Sequence, residues 1–467
     1  MIKRDPGSFR DPSGFIFIKG GMVYRQISHL YRESYGMLMG SGLYETLVES
    51  RLMVPHKESD DSPADDEGFL VIRPKRVPFV SYPYEWCFGQ YKQAAITTLR
   101  IHLLALEHGM VLKDASAYNI QFITGYAVLI DTLSFEPYKE GEPWIAYGQF
   151  CRHFLAPLML MAKVDVRLSK LMMSHIDGVP LDLAQNILRN KSGAFGAGHI
   201  RMHSRAVARH GEGGKNDTAP SDKIINVSKR NIIAMAQSML SYIEKLELKD
   251  IVTEWGGYYS NTNYSDISAK AKEIIVNEFL GQVEGCKNVW DFGANDGRYS
   301  RLAVDAGAHV VAFDLDHNAV ERNYKEIQKN RKTMLPLILD LTAPSPAIGF
   351  ANIERGSIPD RQKPDVIMML AVIHHLAISN NLPFDQIAKW ISGMCRYLII
   401  EFVPKEDSQV RILLRTRVDI FPHYTKECFE IAFENYFDLL GEQVIRESGR
   451  SLYLYESIMS KGVVLEK

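Results

Sequence analysis

The stretch NVWDFGANDG, residues 288–297, joins a short apolar run to a loop that holds two glycines. Its spacing is Asp-x-Gly-x-x-x-Gly through Asp291, Gly293 and Gly297. Glycine lets the backbone approach a ligand closely and adopt positive φ, so we expect a ligand-binding loop at the end of a strand. The spacing differs from the Gly-x-Gly-x-x-Gly that lays a pyrophosphate on a helix N-terminus, which argues against a nicotinamide-dependent dehydrogenase.

After this loop, short apolar runs alternate with helical patterns at the spacing of βα units. Such alternation predicts an α/β domain with a parallel, doubly wound, Rossmann-like sheet. The predicted strands are residues 288–292, 309–314, 334–341, 365–372 and 396–403. Two further runs, residues 438–446 and 450–456, flank a turn and predict a terminal antiparallel hairpin.

Two further carboxylates follow predicted strands of this sheet. Asp314 ends the second strand, where a carboxylate can accept hydrogen bonds from both hydroxyls of a ribose. Asp340 ends the third strand, where it can meet the amino group of an adenine. Because the carboxyl ends of the strands line one crevice, we expect Asp291, Asp314 and Asp340 to converge on one ligand.

These features resemble the class I S-adenosylmethionine-dependent methyltransferases over residues 223–467. The resemblance rests on four motifs in order: the loop from Asp291 to Gly297, the acid at Asp314, the pair Asp340-Leu341 and the terminal hairpin. The family often has glycine where this chain has Asn295, a difference that stiffens the loop and leaves the site in place.

The resemblance implies a site for S-adenosylmethionine. Asp291 and Gly293 would hold the methionine end of this cofactor, and Asp314 would take the ribose. Asp340 with Leu341 would border the adenine. Aromatic residues in the segment 255–264 either close over the cationic sulfonium or simply pack. The implied cofactor-binding residues are Asp291, Gly293, Asn295, Gly297, Asp314, Leu315, Asp340, Leu341 and Tyr264.

Two adjacent histidines follow the fourth predicted strand. In an extended chain the side chains of His374 and His375 point to opposite faces, so we expect one to face the acceptor and the other to pack. A histidine with a pKa near neutrality suits a general base for an oxygen acceptor. The alternative is that both are structural and that catalysis rests on positioning alone. Residues 401–407, after the fifth strand, are further candidates for acceptor recognition.

Residues 111–131 carry a second pattern, in which Asp114 is followed by Asn119 and then, after two short apolar runs, by Asp131. This pattern resembles the catalytic loop and metal-binding segment of protein-kinase-like phosphotransferases, and it implies an α+β kinase-like domain. The resemblance further implies that Asp114 accepts the proton of a hydroxyl, and that Asn119 and Asp131 hold magnesium with ATP.

The N-terminal half departs from that family in ways that bear on activity. Leu112 stands where those enzymes usually carry histidine, and the half has no glycine-rich phosphate loop. A hairpin predicted over residues 15–18 and 22–27 offers only Arg25 or Lys19 as cations for a phosphate. A degenerate lobe that binds or docks the acceptor is therefore the alternative to a working phosphotransferase.

The predicted organisation has three parts. Residues 1–189 form the kinase-like domain, residues 190–222 form a basic flexible linker, and residues 223–467 form the methyltransferase domain, with a helical cap over 223–287. The linker lacks apolar periodicity and carries an excess of Lys and Arg. It is either a solvated connection or a contact for RNA or phosphate.

Composition excludes several classes of protein. With 467 residues, 46% of them hydrophobic, and a net charge of -2, the chain has no global field toward nucleic acid or an anionic membrane. Its five scattered cysteines form no CxxC pair, so we expect neither a disulfide framework nor a metal site, and a cytoplasmic location. Its apolar runs are shorter than the roughly 20 residues that span a bilayer.

The leading prediction is a methyltransferase that moves a methyl group from S-adenosylmethionine to an oxygen or nitrogen nucleophile. We expect a small-molecule or glycan acceptor, selected with help from the first domain, and keep RNA as an alternative through the linker. A Mg-ATP-dependent phosphotransferase acting through Asp114, Asn119 and Asp131, alone or coupled to methylation, is the competing activity. A non-catalytic binding module is the third alternative, and the sequence leaves the acceptor and the oligomeric state open.

Overall fold

The computed structural model describes residues 3–189, 196, 198–200, 226–248, 265–415 and 418–461. The chain divides into two compact units. Unit 1 comprises Met1–Asp250 together with Ala347–Gly356, and unit 2 comprises Ile251–Pro346 together with Ser357–Lys467. The predicted linker, residues 190–222, lies almost entirely outside the described residues.

Unit 1 begins with an antiparallel five-stranded sheet in the order β1-β2-β3-β5-β4. Its strands are β1 Lys3–Arg4, β2 Gly14–Lys19, β3 Met22–Ser28, β4 His56–Ser59 and β5 Gly68–Pro74. The turn between β2 and β3 uses Gly20 and Gly21 at φ of 57° and 74°, as a tight hairpin turn requires. The predicted opening hairpin is therefore confirmed.

Helices and two short strand pairs form the rest of unit 1. The pairs are β6 Met110–Leu112 with β9 Phe135–Pro137, and β7 Ile120–Ile123 with β8 Tyr126–Leu129. The helices are α1 Arg32–Gly40, α2 Leu43–Glu49, α3 Phe88–Glu107, α4 Tyr147–Phe150, α5 Ala156–Lys163, α6 Leu171–Ser174, α7 Leu181–Ile187 and α8 Lys229–Glu244. This is the α+β arrangement expected for the N-terminal half, whereas its likeness to kinases stays a prediction.

Helix α8 belongs to unit 1, although the sequence analysis assigned residues 223–287 to the cap of the second domain. The apolar stripe of α8 packs against α3 and buries Ile232, Ala236, Met239 and Ile243. Burial of this stripe stabilises α8 on the first unit, and the sequence pattern could not tell which core the stripe would join.

Unit 2 contains a seven-stranded sheet in the order β12-β11-β10-β13-β14-β16-β15. Strands β10 to β14 run parallel, and β16 pairs antiparallel with both β14 and β15. The strands are β10 Asn288–Phe292, β11 His309–Asp314, β12 Met334–Ile338, β13 Val366–Met369, β14 Tyr397–Phe402, β15 Phe437–Val444 and β16 Ser451–Ser457. The predicted Rossmann-like sheet with a terminal antiparallel hairpin is confirmed.

The described helices of unit 2 follow the parallel strands or flank the hairpin. They are α9 Asp266–Gln282, α10 Ser300–Asp305, α11 His317–Asn330, α12 Ile358–Arg361, α13 Phe384–Ser392, α14 Ser408–Leu414, α15 Lys426–Glu434 and α16 Ile458–Lys461. Apolar residues of β10, β11, β13 and β14 form a buried cluster with those of α9, including Val276 and Phe279. The cluster supports the strands from one face and leaves their carboxyl ends to carry the polar side chains.

Strand β13 is shorter than predicted. It ends at Met369 rather than at residue 372, and Ala371 adopts a φ of 56° as the chain leaves the sheet. A helical turn begins at once and continues as a π-helical turn over His375–Ser379. The expectation that His374 and His375 lie in extended chain is therefore wrong.

In the described parts of the chain, no helix is long and apolar enough to cross a membrane.

Candidate functional site

The glycine loop lies between β10 and α10 in unit 2. Gly293 has a φ of 78°, and a Cβ there would come within 2.3 Å of Cγ2 of Val372. Gly297 has a φ of 80°, and its Cβ would lie 2.6 Å from Nδ2 of Asn323. Both glycines are therefore required by the protein's own packing, so their presence alone says little about a ligand.

Asn295 ties this loop to the next strand. Its backbone N–H donates to Oδ2 of Asp314 at 2.7 Å, and Oδ1 of Asp314 accepts from the N–H of Asp316 at 2.8 Å. Asn295 has a φ of 49°, a left-handed conformation that asparagine tolerates better than most residues. Asn295 therefore adopts a backbone conformation that glycine would also allow at this position of the loop.

Asp291 is the most deeply buried acid of the predicted set, with 1% of its surface exposed. Its Oδ2 accepts a hydrogen bond of 2.6 Å from the Ser300 hydroxyl. Burial raises the pKa of Asp291 to about 7, the charge of Asp314 adds to this rise, and Ser300 and Lys272 oppose it. Burial likewise raises the pKa of Asp314 to about 6. Two carboxylates that are costly to ionise therefore lie at the ends of adjacent strands.

Asp340 lies at the same edge of the sheet, since Asp314 pairs with Ile338 in the register of β11 and β12. Its Oδ1 accepts from the backbone N–H of Thr342 at 2.8 Å and from the Thr342 hydroxyl at 2.6 Å. This local turn gives Asp340 a structural role in addition to the predicted one. Leu315 is 55% exposed and Leu341 is half-buried, so both offer apolar surface beside these acids.

His374 and His375 lie against each other, with ring centroids 4.0 Å apart. His374 is 1% exposed, and within the described residues its Nδ1 has no hydrogen-bond partner. Burial lowers the pKa of His374 well below its usual value, and burial with the charge of Arg450 lowers the pKa of His375 to about 4. The expected near-neutral pKa is therefore corrected: both rings are neutral at pH 7, and their lowered pKa values make them weaker bases than an ordinary histidine.

A buried network of charged residues includes Glu401 and Asp407, both in the segment predicted for acceptor recognition, together with Lys272 and Arg450, which the sequence did not single out. Nζ of Lys272 lies 2.6 Å from Oε2 of Glu401, and Nη1 of Arg450 lies 3.2 Å from Oε1 of the same carboxylate. Nε of Arg450 also donates to Oδ2 of Asp407 at 2.8 Å. The network joins α9, the carboxyl end of β14, the start of α14 and the start of β16.

The spacing of apolar residues in α9 does indicate that Lys272 is buried. Lys272 precedes Ile275, Val276 and Phe279 by three, four and seven residues, and all three are buried. These spacings place its charge on the apolar face of the helix, where an ion needs a partner. For Arg450, which follows the hairpin turn, the local sequence carried no comparable signal.

In unit 1 the three predicted phosphotransfer residues come together. Asp114 accepts from Nε2 of Gln149 at 2.7 Å through Oδ1 and from Nδ2 of Asn119 at 3.0 Å through Oδ2. The same amide nitrogen of Asn119 lies 3.4 Å from Oγ of Ser134, and the Ser134 hydroxyl donates to Asp131. The three residues are therefore linked in one cluster, whereas their role in phosphotransfer stays a prediction.

Of the two cations predicted near this cluster, Arg25 joins it. Its guanidinium from β3 donates to the buried carboxylate of Asp131, whereas Lys19 pairs with Asp61 at 2.6 Å on the surface. Burial raises the pKa of Asp131, but the charge of Arg25 and the Ser134 hydroxyl outweigh burial and bring it below its usual value. The negative charge of Asp131 is thus already matched by a side chain of the same unit.

The residues of unit 2 fit S-adenosylmethionine by their chemistry. Asp291 and Asp314 receive hydrogen bonds from a neutral hydroxyl and from backbone N–H groups, so their charges remain available to a cationic amino group or a ribose diol. Tyr264 and the aromatic segment before it lie outside the described residues. Among the residues that are described, no group of three or more His, Cys, Asp or Glu side chains could hold a metal ion.

Comparisons with known proteins give one relative that matches over nearly the whole chain. The nodulation protein NoeA of Rhizobium meliloti (strain 1021) is 31% identical over 461 residues, which are 97% of this chain and 96% of that protein. No protein-family model matches the chain.

Solved structures match about two fifths of the chain. The N-methyltransferase NodS from Bradyrhizobium japonicum WM9 is 11% identical at a TM-score of 0.32, covering 41% of this chain and 98% of that one. The magnesium protoporphyrin IX methyltransferase ChlM from Synechocystis PCC 6803, with bound SAH, is 18% identical at a TM-score of 0.29. The match covers 44% of this chain and 92% of that one. The bifunctional kinase-methyltransferase WbdD is 17% identical at a TM-score of 0.29, and the match covers 43% of this chain and 42% of that one. Likenesses this weak carry no argument about activity.

Proposed function

This chain belongs to the family of the nodulation protein NoeA, and we propose that it is a methyltransferase that uses S-adenosylmethionine. The observation that carries the proposal is the pair Asp291 and Asp314, which lie at the carboxyl ends of adjacent parallel strands and are linked by the glycine loop. Carboxylates at this position of an α/β sheet face the crevice in which such folds bind ligands. Their raised pKa values indicate charges that a ligand can compensate.

Each carboxylate has a distinct role in the proposed site. Asp291 accepts hydrogen bonds from the amino group at the methionine end, and Asp314 accepts from the ribose hydroxyls while it keeps its bonds to the backbone of Asn295 and Asp316. The exposed side chain of Leu315 and the half-buried Leu341 provide the apolar surface for the adenine, which Asp340 borders. When bound, the cofactor supplies an activated methyl group on a sulfonium.

The chain's part in the transfer is mainly to hold donor and acceptor in line and to exclude water. Orientation of this kind can lower a barrier by roughly 7 to 11 kcal/mol. For an oxygen acceptor, a neutral ring of the pair His374 and His375 takes the proton as the new bond forms; for an amine acceptor, positioning suffices. We propose a small molecule or a glycan as the acceptor, selected with help from unit 1.

Isothermal titration with S-adenosylhomocysteine tests the proposal. We expect binding in the micromolar range or tighter for the full chain. Asp314→Ala should weaken it roughly 10- to 150-fold, the effect of losing hydrogen bonds to a charged group. Asp314→Asn, which keeps one acceptor oxygen for the loop, should show that the loss comes from the charge. The matched control is Asp305→Ala on the surface, which should bind as the wild type does. Well-folded protein without detectable heat would overturn the proposal.

A second candidate function rests on the cluster in unit 1. Because Asp114, Asn119 and Asp131 are joined through hydrogen bonds with Ser134, a Mg-ATP-dependent phosphotransferase remains a candidate. Mg-ATP should then raise the melting temperature of the wild type and leave that of Asp131→Asn unchanged. If Mg-ATP shifts neither protein, unit 1 is a degenerate lobe.

A further inference from the structure

Lys272 is an ionisable residue buried on the apolar face of α9 in unit 2. It is 2% exposed, and its Nζ lies 2.6 Å from Oε2 of Glu401, which is fully buried. Glu401 also pairs with Arg450 at 3.2 Å. A buried ion pair seldom stabilises a protein more than apolar residues of the same volume do, because removing both charges from water is costly. Stability alone therefore gives a poor reason for a lysine on the apolar face of α9.

The ammonium of Lys272 also lies beside the glycine loop. Its Nζ is 4.5 Å from the centroid of the Tyr299 ring, and the next residue, Ser300, donates to Asp291 at 2.6 Å. The charges of Lys272 and Asp291 act on each other, since each shifts the pKa of the other toward ionisation. Lys272 thus connects the buried network with the acid that would hold the methionine end of the cofactor.

We propose that Lys272 is a positioning residue for cofactor binding, which keeps the carboxylate of Asp291 ionised and available to the amino group of S-adenosylmethionine. This inference rests on the proposed function. Glu401, shared between Lys272 and Arg450, holds the lysine in place and opposes burial, which lowers the pKa of Lys272 below its usual value.

The balance of groups around Asp291 explains why one lysine matters. Burial and the neighbouring charge of Asp314 favour the protonated carboxyl, while the Ser300 hydroxyl and Lys272 favour the carboxylate. Because burial already favours the protonated carboxyl, loss of a nearby cation shifts Asp291 further toward its neutral form. A protonated Asp291 would attract an ammonium group much less strongly.

The experiment measures S-adenosylhomocysteine binding by calorimetry from pH 6 to 9. Losing the charge of Lys272 should raise the pKa of Asp291, so Lys272→Met should weaken binding about tenfold at pH 7. At pH 9, where Asp291 ionises again, most of that loss should disappear. Lys272→Arg, which keeps the charge, should retain the wild-type pH profile. Lys270→Met is the matched control, since Lys270 lies on the same helix in a surface pair with Glu273.

A double-mutant cycle separates positioning from simple support of the fold. If Lys272 acts through Asp291, Lys272→Met should cause little further loss of binding in an Asp291→Asn background. A loss that is equal at every pH, or that adds fully to that of Asp291→Asn, would overturn the proposal. Should Lys272→Met fail to fold, Lys272→Met with Glu401→Gln removes both charges of the pair and takes its place in the cycle.

A readout without ligand distinguishes this inference from the proposed function. If the wild type binds no S-adenosylhomocysteine at any pH, the proposed function fails while the coupling of Lys272 and Asp291 can still be measured. The effects of Lys272→Met and Asp291→Asn on the melting temperature at pH 7 should then be non-additive. Additive effects would overturn the coupling itself.

Discussion

Asp131 in unit 1 and Asp291 in unit 2 are both buried carboxylates that accept a hydrogen bond from a serine, yet they differ in charge balance. Asp131 also receives the guanidinium of Arg25, and its pKa lies below the usual value despite burial. Asp291 accepts from the neutral Ser300 hydroxyl, and burial raises its pKa to about 7. Arg25 outweighs burial at Asp131, whereas burial outweighs Lys272 at Asp291, so a cationic ligand has more to gain by pairing with Asp291.

The largest effect should come from the two adjacent histidines of unit 2. We expect His374→Asn or His375→Asn to lower turnover of an oxygen acceptor roughly 100- to 10,000-fold, with S-adenosylhomocysteine affinity nearly unchanged. Steady-state kinetics with labelled cofactor measure the turnover, and calorimetry measures the affinity for S-adenosylhomocysteine. His423→Asn on the surface is the control. Unchanged turnover in the double variant would remove the base and leave positioning as the whole mechanism.

Removing the Arg25 guanidinium that pairs with Asp131 tests the charge balance in unit 1. Arg25→Met leaves a buried carboxylate without its cation, which should cost roughly 3 to 5 kcal/mol of unfolding free energy. Arg25→Met with Asp131→Asn should recover most of this loss, and Lys19→Met in its surface pair should change little. Urea denaturation monitors each variant. If Arg25→Met is as stable as the wild type, the pair does not neutralise Asp131 in solution.

Stability should respond to pH with opposite signs at the two acids. The folded pKa of Asp291 is above its unfolded value, so its contribution is fully present below about pH 4 and is lost as pH rises to about 7. The folded pKa of Asp131 is lowered, so its contribution is present above the unfolded pKa and is lost as pH falls. Asp291→Asn should therefore flatten the decline in melting temperature between pH 4 and 7, and Asp131→Asn should reduce the acid sensitivity. If the melting temperatures of both variants depend on pH in the same way, the two acids do not contribute to stability with opposite signs.

The smallest expected effect is on the pH dependence of turnover. Because burial and Arg450 lower the pKa of His375 to about 4, its ring is already neutral well below pH 6. With saturating donor and acceptor, kcat should vary by less than about twofold between pH 6.5 and 8. A clear rise through pH 6 to 7 under saturation would mean that the ring titrates near its ordinary value, contrary to its burial.

Most of the fold was predictable because its signals are local. The strand periodicity of β10 and β11 and the turn before β16 each depend on neighbouring residues, and the predicted sheet and hairpin are confirmed. The same local pattern placed Asp114, Asn119 and Asp131 in one cluster. The end of β13 was not predictable, because an apolar run does not show where the backbone turns away from the sheet.

The sequence by itself determined which strands form and the order in which strands and helices alternate. It also determined that acidic residues end neighbouring strands. Both follow from periodicity and spacing, which are encoded along the chain. Only the tertiary structure decided that Lys272 meets Glu401 and Arg450, that α8 joins unit 1, and that His374 and His375 lose their near-neutral pKa. These outcomes depend on burial and on charges contributed by distant segments, and the energy of an ion depends on its surroundings rather than on its neighbours in sequence.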